Sequence, residues 1–151
     1  MSIALSTAIL VLIILLLIMI SAFFSSAETA LTAASEARIR QLAKTKANRQ
    51  AMRVEKLRKN KEELISTILV GNNLVNILAS ALATSAAISL TGDGGVALAT
   101  LVMTVIIVLF AEVLPKSYAF NNADRFSLKI ALIVPVAYTH LRAHETYTYL
   151  V

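Results

Sequence analysis

Long apolar runs dominate the pattern of hydrophobic and polar positions along this chain. The first covers residues 3–24, and no charged side chain precedes Glu28. At about 1.5 Å of rise per helical residue, such a run spans roughly 33 Å and can cross a bilayer. Two more runs, 64–90 and 96–114, flank the turn Thr91-Gly92-Asp93-Gly94-Gly95, whose glycines permit positive backbone angles. The pattern predicts three membrane spans, the last two forming a helical hairpin.

Composition supports a membrane protein. Hydrophobic residues make up 58% of the 151 residues and charged residues 15%, and the mean hydropathy is +0.75. A soluble domain of this length could not easily bury so much apolar surface. The first run is too long for a signal peptide, and no Lys or Arg precedes Arg38, so we expect it to be retained. The absence of cysteine from the sequence excludes disulfides and thiolate metal sites.

Ten of the fourteen Lys and Arg residues lie between the first two apolar runs. The positive-inside rule places this loop in the cytoplasm and the N-terminus outside, in a multi-pass protein of the inner (plasma) membrane. Residues 35–63 contain no Gly or Pro and predict one basic juxtamembrane helix along the inner leaflet, facing anionic head groups. Alternatively, these charges serve only to set the topology. The segment lacks aromatic residues to stack on bases, which argues against nucleic acid as a partner.

Polar side chains recur inside the apolar runs, where they are costly and commonly mark a site or pathway. Ser21, Ser25 and Glu28 are spaced by four and three residues, so they share one helical face. In the second run, Asn72 and Asn76 are one turn apart. The first two spans therefore each present a row of oxygen atoms.

The third run adds a carboxylate, since Glu112 is the one acidic residue within it. Pro115 has no amide hydrogen, so we expect the carbonyl of Ala111 to lack a helical donor at the depth of Glu112. Carboxylate, amide and hydroxyl oxygens suit hard cations such as Mg²⁺, Ca²⁺ or Na⁺. Transition metals favour imidazole and thiolate groups, which these spans do not contain.

Structural explanations of the same residues stay open. Serines in membrane helices often pack closely or bond to the preceding turn, and asparagines can hold helices together. The glutamates could pair with Lys or Arg at the interface. Two functions are therefore compatible with the pattern: transport of a hard cation, or a non-transporting membrane interaction or scaffold protein with a basic lipid-binding helix. We do not expect an enzyme, because the sequence shows no nucleophile with its base and no phosphate-binding loop.

Three ordered motifs resemble the transmembrane domain of the CorC and cyclin M (CNNM) magnesium transporters, the HlyC/CorC family, over about residues 1–136. They are Ser21-Ala-Phe-Phe-Ser25-Ser26-Ala-Glu28-Thr29-Ala30-Leu31, Gly71-Asn72-Asn73-Leu74-Val75-Asn76 and Ala111-Glu112-Val113-Leu114-Pro115-Lys116. The resemblance implies a homodimer, with three transmembrane helices per subunit plus juxtamembrane helices, that carries Mg²⁺ outward in exchange for Na⁺. It assigns the metal site to Ser21, Ser25, Asn72, Asn76 and Glu112. Secondary or site-shaping positions are Ser26, Glu28, Gly71, Asn73, Pro115 and Lys116.

The end of the sequence departs from the family pattern. Family members usually continue into nucleotide-binding CBS domains, so we expect a truncated gene, in which ATP would act only through the missing domains. After Val136 the sequence turns polar, and residues 137–151 are expected to be a non-native tail. His140 and His144 have the spacing of a helical metal pair, but two ligands are too few for a structural zinc site.

Overall fold

The computed structural model describes residues 3–45, 48–58, 61–92 and 94–131, and every regular element in these ranges is helical. The tail predicted for residues 137–151, with His140 and His144, lies outside them. In chain order the elements are α1 (Ile3–Ala33), α2 (Glu36–Thr45), α3 (Arg49–Arg58), α4 (Lys61–Thr91), α5 (Gly95–Ile106), a π-helix (Ile107–Val113), α6 (Leu114–Asn121) and α7 (Ala123–Ile130).

Three helical stretches are long and apolar enough to cross a membrane: Ser6–Ala33, Glu62–Thr91 and Gly95–Asn121. The predicted all-α fold with three transmembrane helices is therefore confirmed. Each helical stretch continues past the end of its apolar run. The polar residues that follow still favour a helix, whereas hydropathy marks only the part of the helix that can lie in hydrocarbon. Large apolar side chains such as Leu12 and Met19 are 67% and 69% exposed, as expected for surfaces that face lipid.

The chain divides into two compact units. The first comprises Met1–Ser25 with Val70–Ser117 and contains most of the three apolar stretches. The second comprises Ser26–Leu69 with Tyr118–Val151, and its described part contains α2, α3 and α7. Within the second unit α2 packs against α3, and α3 contacts α7. The side chains buried on α2 and α3 are Ile39, Ala43, Ala51 and Val54.

The single basic helix predicted for residues 35–63 is wrong, because this range contains α2, α3 and the first residues of α4. α2 ends at Thr45, and α3 begins at Arg49 after Asn48. The Asn48 side-chain oxygen accepts hydrogen bonds from the backbone N–H groups of Gln50 (2.9 Å) and Ala51 (3.2 Å). This is an N-cap, and an asparagine in that position competes with continuation of the preceding helix. The lack of Gly and Pro was therefore insufficient evidence for one helix.

Two glycines at the junction between α4 and α5 have turn geometry, in agreement with the predicted turn. Gly92 has φ 69°, a left-handed conformation that favours glycine, and its N–H donates to the Ile88 carbonyl at 2.9 Å. The Gly95 N–H then donates to the Gly92 carbonyl at 3.0 Å. Glycine thus ends α4 and permits the reversal into α5.

Gly95→Ala is expected to destabilise the junction between α4 and α5. An added Cβ would overlap the Thr91 Oγ1 atom and lie 3.0 Å from the Ala87 backbone oxygen, which cannot rotate away. Overpacking of this kind costs about 1–3 kcal/mol. Thermal unfolding in detergent measures the effect. The matched control is Gly94→Ala, because a Cβ at Gly94 meets no atom within 4 Å. Equal stability of the two variants would contradict the steric explanation.

Candidate functional site

A hydrogen bond joins the first two spans inside the first unit. The Ser21 hydroxyl donates to the Asn72 side-chain oxygen at 2.6 Å, across 51 positions of sequence. Both residues are buried, with 0% and 4% of their surface exposed. The structure therefore brings together two of the residues that the sequence assigned to a metal site. The hydroxyl is satisfied by this bond, and the amide oxygen keeps capacity for a further contact.

Asn76 lies on α4, one helical turn after Asn72. Its side-chain oxygen is buried and has no hydrogen-bond partner among the described residues. A buried polar atom left without a partner costs free energy, and such atoms are few in native proteins. The oxygen is a neutral, hard acceptor, the type of atom that can replace a water molecule around a hard cation.

Ser25 lies on α1 one turn after Ser21 and is fully buried. Two fully buried hydroxyls at this spacing confirm that one face of α1 is polar within the first unit. Ser26 and Glu28, predicted as secondary positions, belong to the second unit, where Ser26 is buried and Glu28 is half-buried.

Gly71 faces the aromatic ring of Phe24. A Cβ added at Gly71 would lie 3.5 Å from the nearest ring atom, which is an ordinary van der Waals contact, so alanine has room at this position. Asn73, the secondary position that follows Gly71, is exposed. The secondary roles predicted for these two positions stay predictions.

Glu112 lies in the π-helix, and its side chain is half-buried next to the fully buried Ala111. The hydrogen-bond spacing in this segment is five residues, as shown by the bond from the Leu114 N–H to the Leu109 carbonyl. π-helical segments within α-helices are rare and occur frequently at functional sites. The sequence indicated a disturbance here through Pro115 but did not predict a π-helix.

The five-residue spacing changes which carbonyl Pro115 leaves without a donor. Proline has no amide hydrogen to donate. With four-residue spacing, the carbonyl that loses its donor is that of Ala111, as the sequence suggested. With five-residue spacing, it is the carbonyl of Phe110. Pro115 and Lys116 are both half-buried. Under either spacing, the carbonyl that loses the donor of residue 115 belongs to a residue within two positions of Glu112.

The described residues contain no group of three or more His, Asp or Glu side chains that could hold a metal ion. A cation site in this part of the chain would therefore depend on neutral oxygens, with a minority of carboxylates. Ser21 and Asn72 supply oxygens in direct contact, and Ser25 and Asn76 each lie one turn along the same two helices.

Comparison with known proteins gives consistent results. The sequence profile of the cyclin M transmembrane N-terminal domain (CNNM) matches residues 12–143. The UPF0053 inner membrane protein YfjD of Escherichia coli is 54% identical over 100 residues, covering 66% of this chain and 23% of that protein. A UPF0053 protein of Haemophilus influenzae is 44% identical over 126 residues, covering 83% and 29%. A chloroplastic DUF21 domain-containing protein of Arabidopsis thaliana is 43% identical over 124 residues, covering 81% and 18%.

The chain thus spans only 18% to 29% of the length of these curated relatives. The profile match includes the whole of the second and third apolar stretches and most of the first. The three apolar helices and the similarity to an inner membrane protein identify a multi-pass membrane protein. The family resemblance inferred from the three motifs is confirmed, and the chain belongs to the cyclin M transmembrane N-terminal domain family.

Proposed function

We propose that this chain transports Mg²⁺ across the membrane through a site of intramembrane oxygen ligands. The observation that carries the proposal is the buried side-chain oxygen of Asn76, which has no hydrogen-bond partner among the described residues. It lies one turn from Asn72, whose own oxygen already faces the first span through Ser21. A cation ligated by the Asn76 oxygen would relieve its desolvation cost.

The ligand set proposed for Mg²⁺ comprises two hydroxyls, two amide oxygens and one carboxylate, from Ser21, Ser25, Asn72, Asn76 and Glu112. All five residues belong to the first unit. One carboxylate balances half of the charge of a divalent cation, and the neutral oxygens replace part of its hydration shell. Such incomplete compensation keeps binding weak enough for release, which a transporter requires.

The π-helix supplies a rearrangement that could open and close the site. If the hydrogen bonds of the π-helix changed from five-residue to four-residue spacing, the residues after the π-helix would rotate relative to those before it. Glu112, which lies within the π-helix, would change its orientation as well. We further propose outward transport, exchange for Na⁺, a homodimer in the inner membrane, and a cytoplasmic position for the basic loop. The positive-inside rule supports the last of these.

A second candidate function is favoured by the bond between Ser21 and Asn72 itself. An interhelical hydrogen bond of this kind also occurs where polar residues only hold membrane helices together. The chain would then be a non-transporting interaction protein, and its stability would be independent of divalent cations.

Mg²⁺ is expected to raise the thermal stability of the purified chain in detergent, and Asn76→Ala is expected to abolish most of that increase. A ligand that binds only the folded state stabilises it by about 2.7 kcal/mol at one hundred times its dissociation constant. The measurement is the unfolding midpoint with and without Mg²⁺, alongside Mg²⁺ flux into proteoliposomes.

Ser85→Ala is the matched control, since Ser85 is an exposed polar residue on the same helix. This variant should respond to Mg²⁺ like the wild type. An unfolding midpoint of the wild type that does not respond to Mg²⁺ would reject the transport proposal and support the interaction protein.

A further inference from the structure

A pocket of about 470 Å³ lies within the second unit, between α2 and the start of α7. Its lining includes Ala33 and Asn121, which are the last residues of two of the three stretches able to cross a membrane. Both residues lie beyond the apolar runs 3–24 and 96–114, so the pocket belongs to the polar region that follows the hydrocarbon-crossing part of each helix. Pockets of roughly 300–1,000 Å³ accommodate small ligands and head groups.

Two arginines line this pocket together with one acidic residue, Asp124. Asp124 is engaged by other groups: its side chain accepts a hydrogen bond from the Ser35 N–H at 2.8 Å and lies 3.4 Å from the Arg38 guanidinium. Arg125 is exposed and forms no ion pair within the described part of the chain. The pocket therefore keeps an excess positive charge, centred on Arg125.

The backbone at the start of α7 adds hydrogen-bond donors to this pocket. Asn122 occupies the N-cap position of α7 but forms no side-chain cap, because its amide group donates to the Tyr118 carbonyl at 3.1 Å. The first N–H groups of α7 are therefore not capped by Asn122. Together with the guanidinium groups, they form a surface suited to phosphate oxygens.

The remaining wall of the pocket is partly polar, through Ser35, Asn121 and Asn122, and partly apolar. The large apolar side chains in it are Leu42, Phe120 and Leu128, and Phe120 is 67% exposed. A free anion would not need such a wall, and a nucleic acid would not be expected at the end of membrane spans. The occupant that fits the positive charge and the apolar side chains, next to the ends of two membrane-spanning helices, is an amphipathic anion of the bilayer.

We propose that this pocket binds the head group of an anionic phospholipid, with the phosphate contacted by Arg38 and Arg125 and the adjoining chain against Phe120. Guanidinium groups bind phosphate in a bidentate manner, and each basic residue near an anionic leaflet adds to membrane affinity. The pocket shares no residue with the proposed ion ligands and does not depend on Mg²⁺ transport, so either proposal can fail without the other.

Native mass spectrometry of the whole chain in a neutral detergent tests the proposal, with short-chain phosphatidylglycerol, phosphatidylcholine and inorganic phosphate as probes. We expect phosphatidylglycerol to be retained in preference to phosphatidylcholine. Arg125→Gln should weaken its apparent affinity at least about fivefold, in line with the contribution of one basic residue at an anionic surface. Since Arg125 is exposed and forms no ion pair with another described residue, this variant should fold normally.

Arg53→Gln is the matched control, because Arg53 is an exposed arginine of α3 that does not line the pocket. It should retain phosphatidylglycerol like the wild type. Equal loss in both variants, equal retention of phosphatidylcholine, or an unchanged affinity of Arg125→Gln would overturn the proposal. Binding of inorganic phosphate as tightly as phosphatidylglycerol would also overturn it, since the site would then recognise free phosphate and not a lipid.

Discussion

Glu112→Gln is expected to reduce Mg²⁺ flux in proteoliposomes at least about tenfold, equivalent to a loss of about 1.4 kcal/mol or more. Glu112 is the one carboxylate in the proposed ligand set, and glutamine keeps its shape while removing its charge. In a medium of low dielectric constant, a divalent cation without a counter-charge is strongly disfavoured. Flux can be followed with a Mg²⁺-sensitive dye enclosed in the vesicles.

Glu62→Gln is the matched control for this experiment. Glu62 is an exposed glutamate in the first turn of α4, so the substitution removes the same charge at a position outside the proposed site. It should leave flux unchanged. Unfolding midpoints of both variants, measured without Mg²⁺, separate loss of transport from loss of folding. Wild-type flux from Glu112→Gln would remove this carboxylate from the mechanism.

Pro115→Ala is expected to increase stability while it decreases transport. Proline destabilises a helix interior by about 3 kcal/mol or more, and alanine removes its ring and restores the amide hydrogen. Four-residue hydrogen bonding could then replace the π-helix Ile107–Val113. A shift of one residue in the hydrogen-bond register rotates the helix that follows by about 100°, because an α-helix has 3.6 residues per turn. Glu112 would be misplaced, and we expect Mg²⁺ flux to fall about tenfold, or by about 1.4 kcal/mol.

The control for this substitution is Leu114→Ala, which changes an exposed side chain beside the proline and leaves the backbone donors intact. Its flux should match the wild type. Measurements are the unfolding midpoint in detergent and flux in proteoliposomes for both variants. A Pro115→Ala variant with full flux would show that the π-helix is not needed, and one with lower stability would show that the helix accommodates proline without strain.

Much of the fold follows from the sequence because the bilayer restricts the choices. An apolar run long enough to cross hydrocarbon must satisfy its own backbone hydrogen bonds, so three such runs predict three helices. The turn at Gly92 was equally predictable, since few other residues adopt its positive φ angle. The division of residues 35–63 was not predictable from composition, because the cap at Asn48 competes with a helix that would also be acceptable locally.

The candidate site was also only partly predictable from the sequence. Spacing along single helices identified Ser21 with Ser25 and Asn72 with Asn76, since residues one turn apart share a face. It could not show that the Ser21 hydroxyl reaches Asn72, because that contact joins residues 51 positions apart. Nor could it show which of these oxygens are buried without a partner.

By itself, then, the sequence determined that this protein has three membrane-spanning helices and which polar side chains lie within or beside their apolar runs. The tertiary structure alone decided that Ser21 and Asn72 pair, that the Asn76 oxygen is buried without a partner among the described residues, and that Glu112 lies in a π-helix. The physical reason is that hydrophobicity and helix propensity act along the chain, whereas burial and hydrogen-bond register depend on how the helices pack.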